Sequence, residues 1–175
     1  MNKYDPNIHH RKPIRLEGYD YSQEGLYFIT ICIQGHKCLL GDISKGILTT
    51  NDAGRMIETE WLLLPIRFPN IQLHEFIVMP NHFHAILEIT TNDENSIIET
   101  SPVNKNVFTI IDAFKSITTV KYIHGVKNDG WTHFEDKFWQ YSYWEHIIRK
   151  IESYQQIADY IINNPATWLE DKLNI

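Results

Sequence analysis

Cysteine is scarce in this chain: Cys32 and Cys38 are the only two, six residues apart and without a CxxC partner. That argues against a disulfide framework and leaves reduced thiols in a cytosolic protein as the simplest reading. Long apolar runs are missing too. No stretch approaches the roughly 20 residues that span a bilayer, and residues 1–15 are polar and basic, without the apolar segment of a secretory signal. Positive charge is also short, with 16 Lys and Arg against 22 Asp and Glu and a net charge of −6. A broad basic face, the usual footprint of a nucleic-acid binder, is therefore not expected. Cations gather only locally: His9, His10, Arg11, Lys12 and Arg15, then Lys115, Lys121 and Lys127, then Arg149 and Lys150. Each group also reads as ordinary solvated surface. Internal repeats and domain boundaries are absent, so residues 1–175 are expected to form one domain.

What the chain does have is a core. Apolar residues make up 43% and aromatics 13%, enough to bury a hydrophobic interior in a domain of this length. Residues 26–33 are β-branched and aromatic and read as a strand closed by Gln34-Gly35. A helix is expected over 52–64, with Ala53, Ile57, Trp61 and Leu64 on one face and Pro65 as its end. Strands 72–79 and 82–90 are split only by Pro80-Asn81, a hairpin signal. Residues 91–106 are polar and aperiodic and read as a mobile loop. A second helix is expected over 107–124, stopped by Gly125. An extended segment follows at 139–148, then a helix at 151–163 ended before Pro165. The order β-α-β-β-α-β plus a helix predicts an α+β, ferredoxin-like fold: a four-stranded antiparallel sheet, helices on one face, the other face open to ligand.

Alternation along 82–90 puts Phe83, Ala85, Leu87 and Ile89 on one strand face and His82, His84 and Glu88 on the other, with Ile86 the exception. Two imidazoles on one rigid strand face can chelate a divalent metal. Surface histidines on a half-exposed strand, or a histidine hydrogen-bonded within the sheet, give the same spacing.

On the last helix, at about 100° per residue, Tyr154, Ile157, Ala158, Ile161 and Ile162 share a stripe, which assigns Tyr154 to the core. Tyr160 falls roughly 130° from that stripe, flanked by Gln156 and Asn164. A phenol there can act as a nucleophile, or simply pack its ring on a neighbour. Because only about 0.1% of a tyrosine is ionised near pH 7, a nucleophilic role needs a nearby cation.

Several blocks resemble a known family. They are Arg15-Leu16-Glu17-Gly18-Tyr19-Asp20-Tyr21-Ser22 with Gly25-Leu26-Tyr27-Phe28-Ile29-Thr30, Met79-Pro80-Asn81-His82-Phe83-His84, Ala113-Phe114-Lys115-Ser116, the run from Trp139 to Arg149, and Tyr160-Ile161-Ile162-Asn163-Asn164-Pro165. In this order they resemble the REP-associated tyrosine transposases, relatives of the IS200/IS605 transposases among the HUH single-strand nucleases. The resemblance implies cleavage and rejoining of single-stranded or hairpin DNA through a 5′-phosphotyrosine. Tyr160 would be the nucleophile, with His82 and His84 ligands of Mg²⁺ or Mn²⁺ and Asn164 the third. The IS200/IS605 branch carries Gln at that last position, so Asn163, Gln156 or a water are alternatives. Arg11, Lys12, Arg15, Lys115 and Arg149 are expected to contact DNA, and Tyr141, Tyr143 and Trp144 to stack on bases or pack in the core. A homodimer is also implied. A metal nuclease using water, and a non-catalytic hairpin-binding module, are the rival readings.

Overall fold

The computed structural model describes residues 18–90 and 106–174. Arg11, Lys12, Arg15 and the expected loop up to residue 105 lie outside the described residues. Strand β1 (Gly25–Cys32) leads to the hairpin β2 (Gly41–Ser44) and β3 (Ile47–Thr50). Helices α1 (Asp52–Leu62) and α2 (Leu64–Arg67) follow, then β4 (Ile71–Val78), β5 (His82–Ile89), α3 (Val107–Asn128), β6 (Trp144–Ile148) and α4 (Ile151–Asn163). The main sheet has the order β4-β5-β1-β6, every neighbouring pair antiparallel. This is the expected α+β architecture of a split βαβ sheet.

One sheet face is closed by α1 and α3. Phe83 of β5 meets Trp61 of α1 and Phe114 of α3, with ring centroids 4.9 and 5.3 Å away. Trp61 and Phe114 are themselves 5.2 Å apart. Such pairs add about 0.5–1.5 kcal/mol each beyond the area they bury. The triangle clamps β5 directly behind its two histidines. The opposite face is not left open, because α4 crosses it. Ile86, Ile148, Ala158 and Ile161 form a second small core there. Ile86, the exception to the alternation, is the residue on which α4 rests.

Three boundaries differ from expectation. Pro65 does not end the helical region: α1 stops at Leu62, and Pro65 lies in the first turn of α2, where a missing N–H costs nothing. Gly125 does not stop α3, which continues to Asn128. Instead the ring of Trp131 lies where a Gly125 Cβ would be, and the Gly125 carbonyl accepts from the backbone N–H groups of Asp129 and Trp131. The extended segment at 139–148 is interrupted: Trp139 bridges Ile33, but regular pairing with β1 begins only at Trp144. The β2–β3 hairpin was not anticipated. It turns on Lys45 and Gly46, both at positive φ, the two-residue turn that matches strand twist.

Candidate active site

The strand register assembles the site. Thr30 of β1 pairs with His84 of β5 on one side and Trp144 of β6 on the other. Directly paired side chains share a sheet face, so His84, Thr30 and Trp144 form a row on the face that α4 crosses.

His82 and His84 are 0% and 2% exposed, which removes the reading of two surface histidines. Their ring centroids are 4.5 Å apart. Asn81 decides the protonation of His82. Its Nδ2 donates to the carbonyls of Leu173 (2.7 Å) and His36 (3.3 Å), which turns its Oδ1 to His82 Nδ1 at 2.7 Å. Nδ1 therefore carries the proton and Nε2 holds a lone pair. That Nε2 is buried and has no hydrogen-bond partner.

His84 Nδ1 lies 2.8 Å from Thr30 Oγ1, and its Nε2 lies 3.2 Å from the Tyr160 hydroxyl. A histidine hydrogen-bonded within the sheet is thus part of the picture, with its second nitrogen aimed at the phenol. Burial pushes the His82 pKa down to about 4, against an opposing pull from Asp171. Burial, then its neighbour His82, holds His84 well below its ordinary value. Both rings are neutral near pH 7, the state in which imidazole binds metal.

Asn164 is buried at the C-terminal end of α4. Its Nδ2 donates to Asp171 Oδ2 at 2.9 Å, so its Oδ1 faces the other way, also buried and without a donor. Its side chain acts on both His82 and Tyr160, raising the proton affinity of the first and lowering that of the second. Asp171 was absent from the sequence reading. One carboxylate oxygen lies 4.0 Å from His82 Nε2, and the ligand atoms of His82, His84 and Asp171 all fall within 4.8 Å of one another. The other oxygen accepts from the Leu173 N–H at 2.7 Å. Asn163 and Gln156 are exposed, and the Asn163 amide donates to the Asp159 carbonyl instead.

Tyr160 is 42% exposed, as its angle on α4 predicts, with its ring edge-on to Phe28 and its hydroxyl in the site. Burial of the hydroxyl, then the Asp171 charge, raises its pKa. Tyr154 packs its ring on the α4 side of the sheet while its hydroxyl donates to Glu75 at 2.7 Å. The basic groups have different partners. Lys115 Nζ donates to the carbonyls of Gln140 and Tyr141, both at 2.9 Å. Lys121 pairs with buried Glu60. Arg149 is exposed between β6 and α4. A cleft of about 730 Å³ opens beside the site, with Phe28, Thr30, His84, Trp144, Tyr160 and Asp171 in its walls.

Two proteins of Haemophilus influenzae are similar in sequence. The first, an uncharacterised protein, is 35% identical over 99% of this chain and 98% of its own length. The second, a candidate REP-associated tyrosine transposase, is 26% identical over 84% of this chain and 73% of its own length. By this second likeness the chain resembles the REP-associated tyrosine transposases. A solved structure of such a transposase bound to a REP hairpin shares the fold, with a TM-score of 0.59, 20% identity, and coverage of 88% of this chain and 74% of that one. No family model matches the chain. Among the described residues, no helix is long and apolar enough to cross a membrane.

Proposed function

We propose that this protein is a metal-dependent transposase that cleaves and rejoins single-stranded or hairpin DNA, with Tyr160 as its nucleophile. The observation that carries this reading is a pair of buried acceptors, His82 Nε2 and Asn164 Oδ1, with no donor between them, in the same corner as the Tyr160 hydroxyl. Leaving two buried lone pairs unmatched costs about 1–3 kcal/mol each unless a cation binds there. The residues therefore fit a divalent ion, with His82, His84 and Asp171 as ligands and the Asn164 carbonyl as a fourth donor. Such an ion, Mg²⁺ or Mn²⁺, would supply positive charge for phosphate oxygens and for a phenol that burial keeps protonated.

The chain's own groups do the rest. Asn81 holds the His82 ring, and the Asn164 amide holds Asp171. His84 Nε2 lies 3.2 Å from the Tyr160 hydroxyl, within hydrogen-bond reach of it. In the reaction the Tyr160 oxygen bonds to phosphorus and the bond to the 3′ oxygen breaks. The phenol gives up a proton and the departing 3′ oxygen gains one. One phosphodiester replaces another, so no nucleotide is consumed, and attack by a 3′-hydroxyl restores the strand.

Labelled hairpin DNA with single-stranded flanks, incubated with the protein and Mn²⁺ and run on a denaturing gel, tests this. A labelled band at protein size, missing from Tyr160→Phe and His82→Ala, is expected. Free cleaved DNA that persists in Tyr160→Phe would establish hydrolysis by water, and binding without cleavage would establish a recognition module.

A further inference from the structure

Among the described residues only three aromatic side chains are exposed: Tyr141 (87%), Trp144 (58%) and Tyr160 (42%). They fall together. Trp144 and Tyr160 line the cleft beside His84, and Tyr141 sits on the loop that supplies Gln140 and Ser142 to its wall. Tyr143, the remaining aromatic of that loop, is buried. We infer that Trp144, with Tyr141 at its rim, is the stacking surface for an unpaired base next to the phosphate that Tyr160 attacks. This rests on the reading of the cleft as a DNA site.

Apolar side chains exposed singly need no explanation, but three exposed aromatics gathered at one cleft form a patch of the kind that marks a binding surface. Trp144 stands in the row Trp144, Thr30, His84. It is thus two strand spacings, roughly 10 Å, from the imidazole that contacts Tyr160.

The loop that carries Tyr141 is tied to α3. Lys115 reaches from α3 to the Gln140 and Tyr141 carbonyls and stands 5.7 Å from the Tyr143 ring centroid. Lys115 is thereby a positioning residue for the rim. Lys137, 5.8 Å from the Tyr141 ring centroid, and Lys172 on the cleft wall supply positive charge at the rim for a phosphate strand. The whole chain is acidic, so long-range attraction does little for DNA affinity. Stacking, which tolerates any base sequence because every base has a π-face, supplies what the charge does not.

The test is fluorescence anisotropy in EDTA, which separates binding from strand transfer. The probes are a hairpin with short single-stranded flanks and the same hairpin with abasic flanks. Wild type should hold the base-containing flanks about tenfold more tightly than the abasic ones. Trp144→Ala should lose that preference, and Trp144→Phe should keep most of it. Ile66→Ala, at an exposed apolar residue of α2 that does not line the cleft, should retain it in full. A Trp144→Ala protein with the wild-type preference, or a wild type indifferent to the missing bases, would overturn the inference. Either result leaves the covalent adduct to be judged by its own gel, so the two readings can fail separately.

Discussion

Asn81 illustrates how much one carboxamide settles: by donating to two carbonyls it fixes its own orientation, the proton on His82 Nδ1 and the free lone pair on Nε2. Strand alternation was enough to put His82 and His84 on one face, and helix geometry was enough to separate Tyr160 from Tyr154. Asp171 was illegible for a physical reason. It lies beyond α4, after a short 3₁₀ turn at Trp168–Glu170, where no periodicity ties a residue to a neighbour. It reaches His82 only because Asn164 and the Leu173 N–H hold its two oxygens. As a ligand, Asp171 should show itself in metal affinity. Calorimetric titration with Mn²⁺ should give Asp171→Asn at least roughly tenfold weaker binding than wild type. Equal affinity would remove Asp171 from the ligand set.

At the scale of elements, the long periodic segments were legible and their ends were not. The apolar faces of α1 and α3 and the pairing of β4 with β5 follow from patterning. Gly125 was misread because a glycine near the end of a helical pattern usually serves as a stop, whereas this one makes room for the Trp131 ring. An alanine there would gain about 1 kcal/mol of helix propensity, but its Cβ would sit 2.3 Å from two ring carbons of Trp131. The clash wins, because an indole packed between Gly125 and Tyr122, with ring centroids 5.3 Å apart, cannot retreat cheaply. Gly125→Ala should therefore destabilise the protein by about 1–3 kcal/mol in a denaturant titration. A stabilised variant would show that Trp131 yields. The β2–β3 hairpin left a readable signal, Lys45-Gly46 just before the mostly β-branched run Ile47-Leu48-Thr49-Thr50, although a non-glycine residue at positive φ makes it weaker than Asn-Gly.

For the molecule as a whole, the sheet order was legible because β-α-β-β-α-β leaves few ways to pair four strands. The covering of the second face by α4 was not, since it depends on where a C-terminal helix docks. A net charge of −6 described the surface and said nothing of a site that excludes most of that surface from contact. Two buried neutral imidazoles also give the fold a pH dependence. Their folded pKa values lie below the unfolded 6.5. As pH falls below 6.5 the unfolded chain therefore takes up protons that the folded one refuses, and stability drops until the folded pKa is reached. His82 alone, falling to about 4, corresponds to a loss of about 3 kcal/mol across that window. Thermal melts of chelated protein over this range should show a steeper decline for wild type than for His82→Gln, which cannot titrate there. Parallel declines would contradict a buried neutral His82.

The most direct measurement is the identity of the residue joined to DNA. Protein incubated with hairpin DNA and Mn²⁺ would be digested with nuclease and protease, and the nucleotide-bearing peptide sequenced by mass spectrometry. The expected result is a nucleotide joined through its 5′ phosphate to Tyr160. A nucleotide on any other side chain would contradict the assignment of Tyr160 as the nucleophile. So would cleaved DNA with no modified peptide.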